Sequence, residues 1–117
     1  MTNYSLAVRW RAQPLRSLAF GSIGTGYVAI GTAMANPIIN YRIQNYTDQP
    51  LYISYDGSTD HDIIGAGGFV LFDASSNKGK GEVLALPQGT VVYARQVSVG
   101  PSSGSIYLST YYASNGQ

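Results

Sequence analysis

The sequence predicts an all-β fold: an antiparallel β-sandwich, jelly-roll-like or Ig-like, of about 8–10 short strands with no significant helix. Three observations predict it. Apolar and polar residues alternate with period two in most β-rich runs. Gly, Pro and Ser punctuate those runs at short intervals. No amphipathic segment of useful length repeats every three to four residues. The 117 residues fit one domain, long enough to enclose one core. The absence of cysteine removes the Cys-Trp-Cys centre of a true immunoglobulin domain, along with disulfides and thiolate metal sites.

Residues 4–10 place Tyr4, Leu6, Val8 and Trp10 on one side and Ser5, Ala7 and Arg9 on the other. Pro14 then interrupts, and residues 15–20 form a short apolar run suited to a sheet edge. Residues 1–20 therefore read as an extended N-terminal arm or edge strand, and residues 21–117 as a single β-sandwich domain. Residues 21–26, GSIGTG, lack the strand–loop–helix setting of a phosphate loop and read as a turn. Residues 27–30 are a short strand, and residues 33–35 suit one helical turn before Asn36-Pro37.

Residues 38–46 and 51–55 are β-rich runs joined by Thr47-Asp48-Gln49-Pro50, which predicts a β-hairpin. Asp56-Gly57 closes the second run and opens the loop DGSTDHD. Residues 63–64 and 69–73 come next as strands, the latter apolar on both sides and so expected at a sheet centre. A polar loop at 74–81 precedes strands at 82–86, 90–97 and 106–112, and residues 113–117 read as a frayed end.

Charged residues make up 11% of the chain, against about 25% in ordinary globular proteins, and the net charge is +1. That balance gives no basic footprint for nucleic acid and favours association with other proteins. Ten tyrosines point the same way, because tyrosine buries a large area while keeping a polar tip. No Asp, Glu, Lys, Arg or His lies between Arg16 and Arg42. Six interruptions (Gly21, Gly24, Gly26, Gly31, Asn36 and Pro37) argue against a membrane span there.

Asp56, Asp60 and Asp62 are the calcium candidates, although their spacing does not match an EF-hand. His61, the single histidine, lacks the Cys or second His that zinc prefers and the nucleophile motif that a hydrolase needs. Asp60 with Glu82 is a formal glycosidase pair, but any six acids offer such pairs. No catalytic residue, resident metal or cofactor is expected. Asn45-Tyr46-Thr47 spells a glycosylation sequon.

Several stretches together resemble small virion structural proteins of tailed bacteriophages, of the neck/collar or head-decoration type. They are Leu15-Arg16-Ser17-Leu18-Ala19-Phe20-Gly21-Ser22-Ile23, Tyr27-x-x-Ile30-Gly31 and Asn45-Tyr46-Thr47-Asp48. Ile53-Ser54-Tyr55-Asp56-Gly57-x-Thr59-Asp60-His61 and the run from Gly67-Gly68-Phe69 to Asp73 complete the set. The resemblance spans residues 15–112. It implies a non-enzymatic β-sandwich in the virion, assembled in the host bacterial cytoplasm. It further implies a homo-oligomer at the head–tail junction, touching portal, connector or capsid proteins but neither nucleic acid nor membrane. Tyr4, Arg9, Trp10, Arg11, Arg16 and Phe20 are the expected interface residues of the arm. Capsid decoration and a carbohydrate-binding module that uses surface tyrosines are the alternatives.

Overall fold

A computed structural model describes residues 9–73 and 86–114. Nine strands occur among them: β1 (Arg9–Ala12), β2 (Arg16–Ala19), β3 (Val28–Ala29), β4 (Asn40–Asn45), β5 (Leu51–Ser54), β6 (Asp62–Ile64), β7 (Phe69–Asp73), β8 (Tyr93–Gln96) and β9 (Ser105–Ser114). One sheet runs β1-β9-β4-β7, with β2 also on β9, and the other runs β3-β8-β5-β6. All pairings are antiparallel. Among the described residues no helix is long and apolar enough to cross a membrane. The expected helical turn at 33–35 does not form, and the single helical element among the described residues is a 3₁₀ turn at Phe20–Ser22.

The pairing has a simple logic. β2 pairs β9, β3 pairs β8, β4 pairs β7 and β5 pairs β6. These are the nested rungs of one long hairpin whose tip is the turn between β5 and β6. Rolling that ribbon brings β4 beside β9 and β5 beside β8, which makes the two sheets. The result is the double Greek key of a jelly roll.

The inward residues of both sheets meet in one core. Tyr41, Ile43, Ile106 and Leu108 come from the first sheet, and Leu51, Ile53, Ile64 and Ala94 from the second. Ile30, Met34, Ile38 and Val92 close it along the connecting segments. Alternation is clearest in β4, where Tyr41, Ile43 and Asn45 are buried while Arg42 is exposed.

The hairpin expected from 38–46 and 51–55 does not form. β4 pairs β7 and β9, whereas β5 pairs β6 and β8 in the opposite sheet. Residues 46–50 are instead a corner that carries the chain from one sheet to the other. Both strands bury one face, so they pack across the core rather than side by side. Asn45 fixes the corner. Its Oδ1 accepts hydrogen bonds from Thr47 N (2.9 Å) and Thr47 Oγ1 (2.6 Å). Its Nδ2 donates to the carbonyls of Gln49, Ile64 and Gly65 at 2.9, 3.1 and 3.3 Å. Residues 65–68 carry the chain back from the second sheet to the first, so this one amide ties two of the crossings together. Its complete burial also withdraws the sequon nitrogen from any glycosylating enzyme.

β7 likewise departs from expectation. It lies at an edge of the first sheet, not at its centre. Val70 and Phe72 face inward, with Phe72 stacked on Tyr41 at 4.7 Å between ring centroids. Phe69 and Leu71 face solvent at 59% and 63% exposure.

Residues 9–19 lie along β9 as a broken edge strand. Ala12 pairs with Tyr111 but Arg16 with Leu108, so four steps on one strand match three on the other. The extra residue is a β-bulge at Pro14, which reverses the facing of the residues after it. Arg16 is thereby turned into the sandwich, where it is 8% exposed. Its Nε donates to Thr32 O, its NH1 to Thr110 Oγ1 and its NH2 to Ala33 O. Thr110 Oγ1 in turn donates to Gln13 Oε1, and Gln13 Nε2 to Asn36 Oδ1. Burial pulls the Arg16 pKa down from its ordinary value. Its stem lies against Gly31, where φ is +74° and a side chain would collide with it. Residues 1–8, the 74–81 loop, residues 82–85 of the predicted 82–86 strand and residues 115–117 lie outside the described residues.

Replacing Asn45 with Ala strands the partners of a fully buried amide, and should cost about 3 kcal/mol of unfolding free energy in urea. Arg42→Gln, on the exposed side of the same strand, should stay within about 0.5 kcal/mol. Equal costs would show that the corner amide is not structural.

Candidate functional site

The outward side of the first sheet and its rim carry Leu15, Phe20, Tyr46, Phe69 and Leu71, five of the exposed large hydrophobic residues. Across the strands, Ser17, Tyr107, Gln44 and Phe69 form one row through their pairings. Ser109, Arg42 and Leu71 form the next, and Leu15 lines the same groove as Arg42 and Ser109. Between the β2 edge and β4 this side dips into a groove of about 660 Å³. Leu15, Phe20, Tyr46 and Tyr107 are its apolar walls, and Arg42, Gln44, Ser105 and Ser109 its polar floor. Tyr46 and Tyr107 meet edge to face at 5.6 Å between centroids. Arg42 is exposed and has no hydrogen-bond or ion-pair partner among the described residues.

Local chain geometry holds the groove in shape. Gly104 sits at its rim with φ +87°, and its carbonyl accepts from Phe20 N at 3.0 Å. A Cβ at that position would strike the Tyr46 carbonyl. Asp48 holds the same loop by accepting from Ser102 N (2.8 Å) and from the Ser102 hydroxyl. Those bonds to Ser102 hold the Asp48 carboxyl below its usual range.

The acidic loop behaves as a brace. Asp56 Oδ1 accepts from Ser58 N, Thr59 N and Ser54 Oγ, each at 2.9 Å. These bonds, the backbone ones first, hold its carboxyl far below the ordinary range. Asp60 takes a fork of bonds from Arg95, at 3.0 Å from Nε and 2.6 Å from NH2. The Arg95 guanidinium also lies 4.7 Å from the Tyr52 ring centre and 5.3 Å from that of Tyr27. Asp62 accepts from Tyr55 Oη at 3.4 Å, and Tyr41 Oη donates to Tyr55 Oη at 3.0 Å. Burial raises the pKa of both tyrosines. His61 Nδ1 accepts from Tyr55 N at 3.0 Å, and its Nε2 lies 4.0 Å from Asp56 Oδ2.

The three calcium candidates thus face three different partners. No group of three or more His, Cys, Asp or Glu among the described residues is arranged to hold a metal ion. His61 clasps its own loop, and Glu82 lies outside the described residues.

Of the expected arm residues, Arg16 is engaged inside its own sandwich and Phe20 lines the groove. Arg9, Trp10 and Arg11 belong to β1 on β9, and Tyr4 lies outside the described residues. Sequence reasoning does not find Arg42, Tyr46 and Tyr107 as a group. Their signal is present in the exposed alternation of β4 and β9, but only the register shows which residues become neighbours.

No family model and no curated protein matches this chain. Among solved structures, a chain of the cyanophage Pam1 capsid asymmetric unit aligns at 13% identity. The alignment covers 91% of this chain and 84% of that one, with a TM-score of 0.47.

Gly104→Ala should lower stability by about 2 kcal/mol or more, since strain and a backbone collision coincide. Gly26→Ala, where nothing lies within 4 Å of an added Cβ, is the matched control. A second prediction concerns acid. A carboxylate whose folded pKa is depressed stabilises above its unfolded value of about 3.9 and loses that contribution as pH falls through the folded value. Denaturant midpoints measured from about pH 6 down to about pH 2 should therefore fall less below about pH 4 in Asp56→Asn than in the parent. Parallel curves would contradict the bracing role.

Proposed function

We infer that this chain is a non-enzymatic structural protein of a tailed-phage virion, working as a homo-oligomer at the head–tail junction in contact with portal, connector or capsid proteins. The observation that carries the reading is the outward side of the first sheet. It holds Leu15, Phe20, Tyr46, Phe69, Leu71 and Tyr107 around the Arg42 guanidinium. Interface cores favour aromatic residues and Arg and are depleted in Lys, Glu and Asp. A continuous apolar side of this kind marks a surface that another protein covers.

Two further features support it. The resemblance to small phage virion proteins runs through the corner sequence Asn45-Tyr46-Thr47-Asp48 and the tip sequence Ile53-Ser54-Tyr55-Asp56-Gly57. Jelly rolls recur in viral capsid domains, which is a fold-level analogy. The arm around Arg9, Trp10 and Arg11 extends this reading as a contact with a neighbouring virion protein. Capsid decoration is the nearest variant of it, differing only in place on the particle.

A second reading has an observation of its own. Tyr46 and Tyr107 beside Arg42, Gln44, Ser105 and Ser109 also suit the flat and hydroxyl faces of a sugar, and jelly rolls serve lectins too. Glycan-array binding that Tyr107→Ala abolishes would favour it.

Mass spectrometry of gradient-purified particles from the phage that encodes this chain should find it at a fixed copy ratio to the portal protein. Its absence from intact particles would overturn the virion reading.

A further inference from the structure

We propose that the pocket beside the Pro14 bulge is a carboxylate-binding site headed by Arg16. The site lies apart from the outward groove, and the inference does not draw on the virion reading.

Arg16 carries a charge that nothing among the described residues balances. A guanidinium stays protonated in proteins, so burial does not make it neutral. Arg16 is 8% exposed, and its acceptors are the carbonyls of Thr32 and Ala33 and the hydroxyl of Thr110. All three are neutral, and no carboxylate among the described residues is its partner. Burial acts on its pKa, downward, whereas an adjacent carboxylate would push it the other way. Buried charges are ordinarily paired with an opposite charge. Of the five N–H donors of a guanidinium, three are used here and two remain.

A pocket of about 300 Å³ reaches this head group, at the low end of the size range for small-ligand sites. Thr32 and Ala33, whose carbonyls hold the guanidinium, line it together with Gln13, Asn36 and Tyr112. Gly31, against which the Arg16 stem lies, is absent from that lining and belongs to a neighbouring depression. The pocket therefore meets the charged head and not the stem. The bulge builds its outer wall, since Ala12, Gln13 and Pro14 line the side formed by the arm.

The donors select the ligand. Arg16 is the only charged residue lining the pocket among the described residues. Asn36 adds an amide whose Oδ1 accepts from Gln13 Nε2 and whose Nδ2 has no partner among the described residues. A planar guanidinium matches a carboxylate in shape and charge. The single negative charge of a carboxylate balances the single positive charge of the pocket, whereas a phosphate dianion would bury an excess charge. A free carboxylate ion and the acidic side chain of another protein offer the same chemistry, and two probes separate them.

NMR of the arginine Nε–Hε signals in the full chain tests the site. Sodium acetate titrated to about 200 mM, at ionic strength held constant with sodium chloride, should move the Arg16 signal along a saturating curve with a Kd of about 10 mM. The folded-to-unfolded ratio should then rise about twentyfold at about 200 mM acetate. The second probe is a capped tripeptide with a central glutamate, its glutamine analogue serving as the blank. Binding tighter than that of acetate assigns the site to a protein side chain, and equal or weaker binding assigns it to a free carboxylate. Asn36→Asp places a negative charge in the pocket and should weaken acetate binding at least about tenfold, whereas Arg42→Gln, outside the pocket, should leave it unchanged. If neither probe gives a saturating Arg16 shift, or if Asn36→Asp leaves the acetate affinity intact, the proposal is overturned.

Discussion

The fold depends on a single buried amide. Asn45 sits where the chain passes from β4 to β5, and its side chain bonds both that crossing and the one from β6 to β7. Without it, Thr47, Gln49, Ile64 and Gly65 would each lose a bond at a corner that is largely buried. Buried polar groups of this kind are costly when unpaired and specify one arrangement when paired. The corner sends β4 and β5 into opposite sheets, so the ribbon rolls instead of lying flat as a meander. The core and both outward surfaces result from that choice.

Strand positions are largely legible because one-sided burial writes period two into the chain. β4, β5 and β8 fall within runs that alternate in the sequence, and β9 covers its run at 106–112 and continues to Ser114, into what reads as a frayed end. Partnership is not legible. Residues 46–50 contain the Pro of a plausible hairpin turn, yet Asn45 makes a corner of them through bonds to residues 64 and 65. β7 reads as central because FVLFD is apolar on both sides. Its outward residues are instead exposed at an edge, which local sequence cannot distinguish from burial. Arg16 reads as an interface cation of the arm. A one-residue bulge at Pro14 turns it inward, and bulge parity is set by long-range pairing with β9. The Asp-rich loop stands out in the sequence, but it is the tip of the rolled ribbon. Its carboxylates are taken there by backbone amides, Arg95 and Tyr55.

Charge is used sparingly and locally. Asp56 and Asp48 brace loops, Asp60 pairs with Arg95, and Arg16 joins the edge strand to the core through neutral acceptors. Arg42, unpaired among the described residues, remains on an aromatic surface. The same economy explains why the outward side of the first sheet suits protein contact: little charge must be desolvated when it is covered. The bulge contributes directly, because reversing the facing at residue 14 leaves Ser17 and Ala19 on the outside and Leu18 against the core. A structural irregularity in the edge strand thereby shapes the interaction surface.

The central claim is that this outward side is covered by protein in an assembled particle. Cryo-EM reconstruction of the particle in which the chain is proposed to sit tests it most directly. The account predicts ordered jelly rolls whose Phe69, Leu71 and Tyr107 are buried against a neighbouring chain. Ordered copies with that side facing solvent, and contacts made only through the β3-β8-β5-β6 sheet, would contradict it.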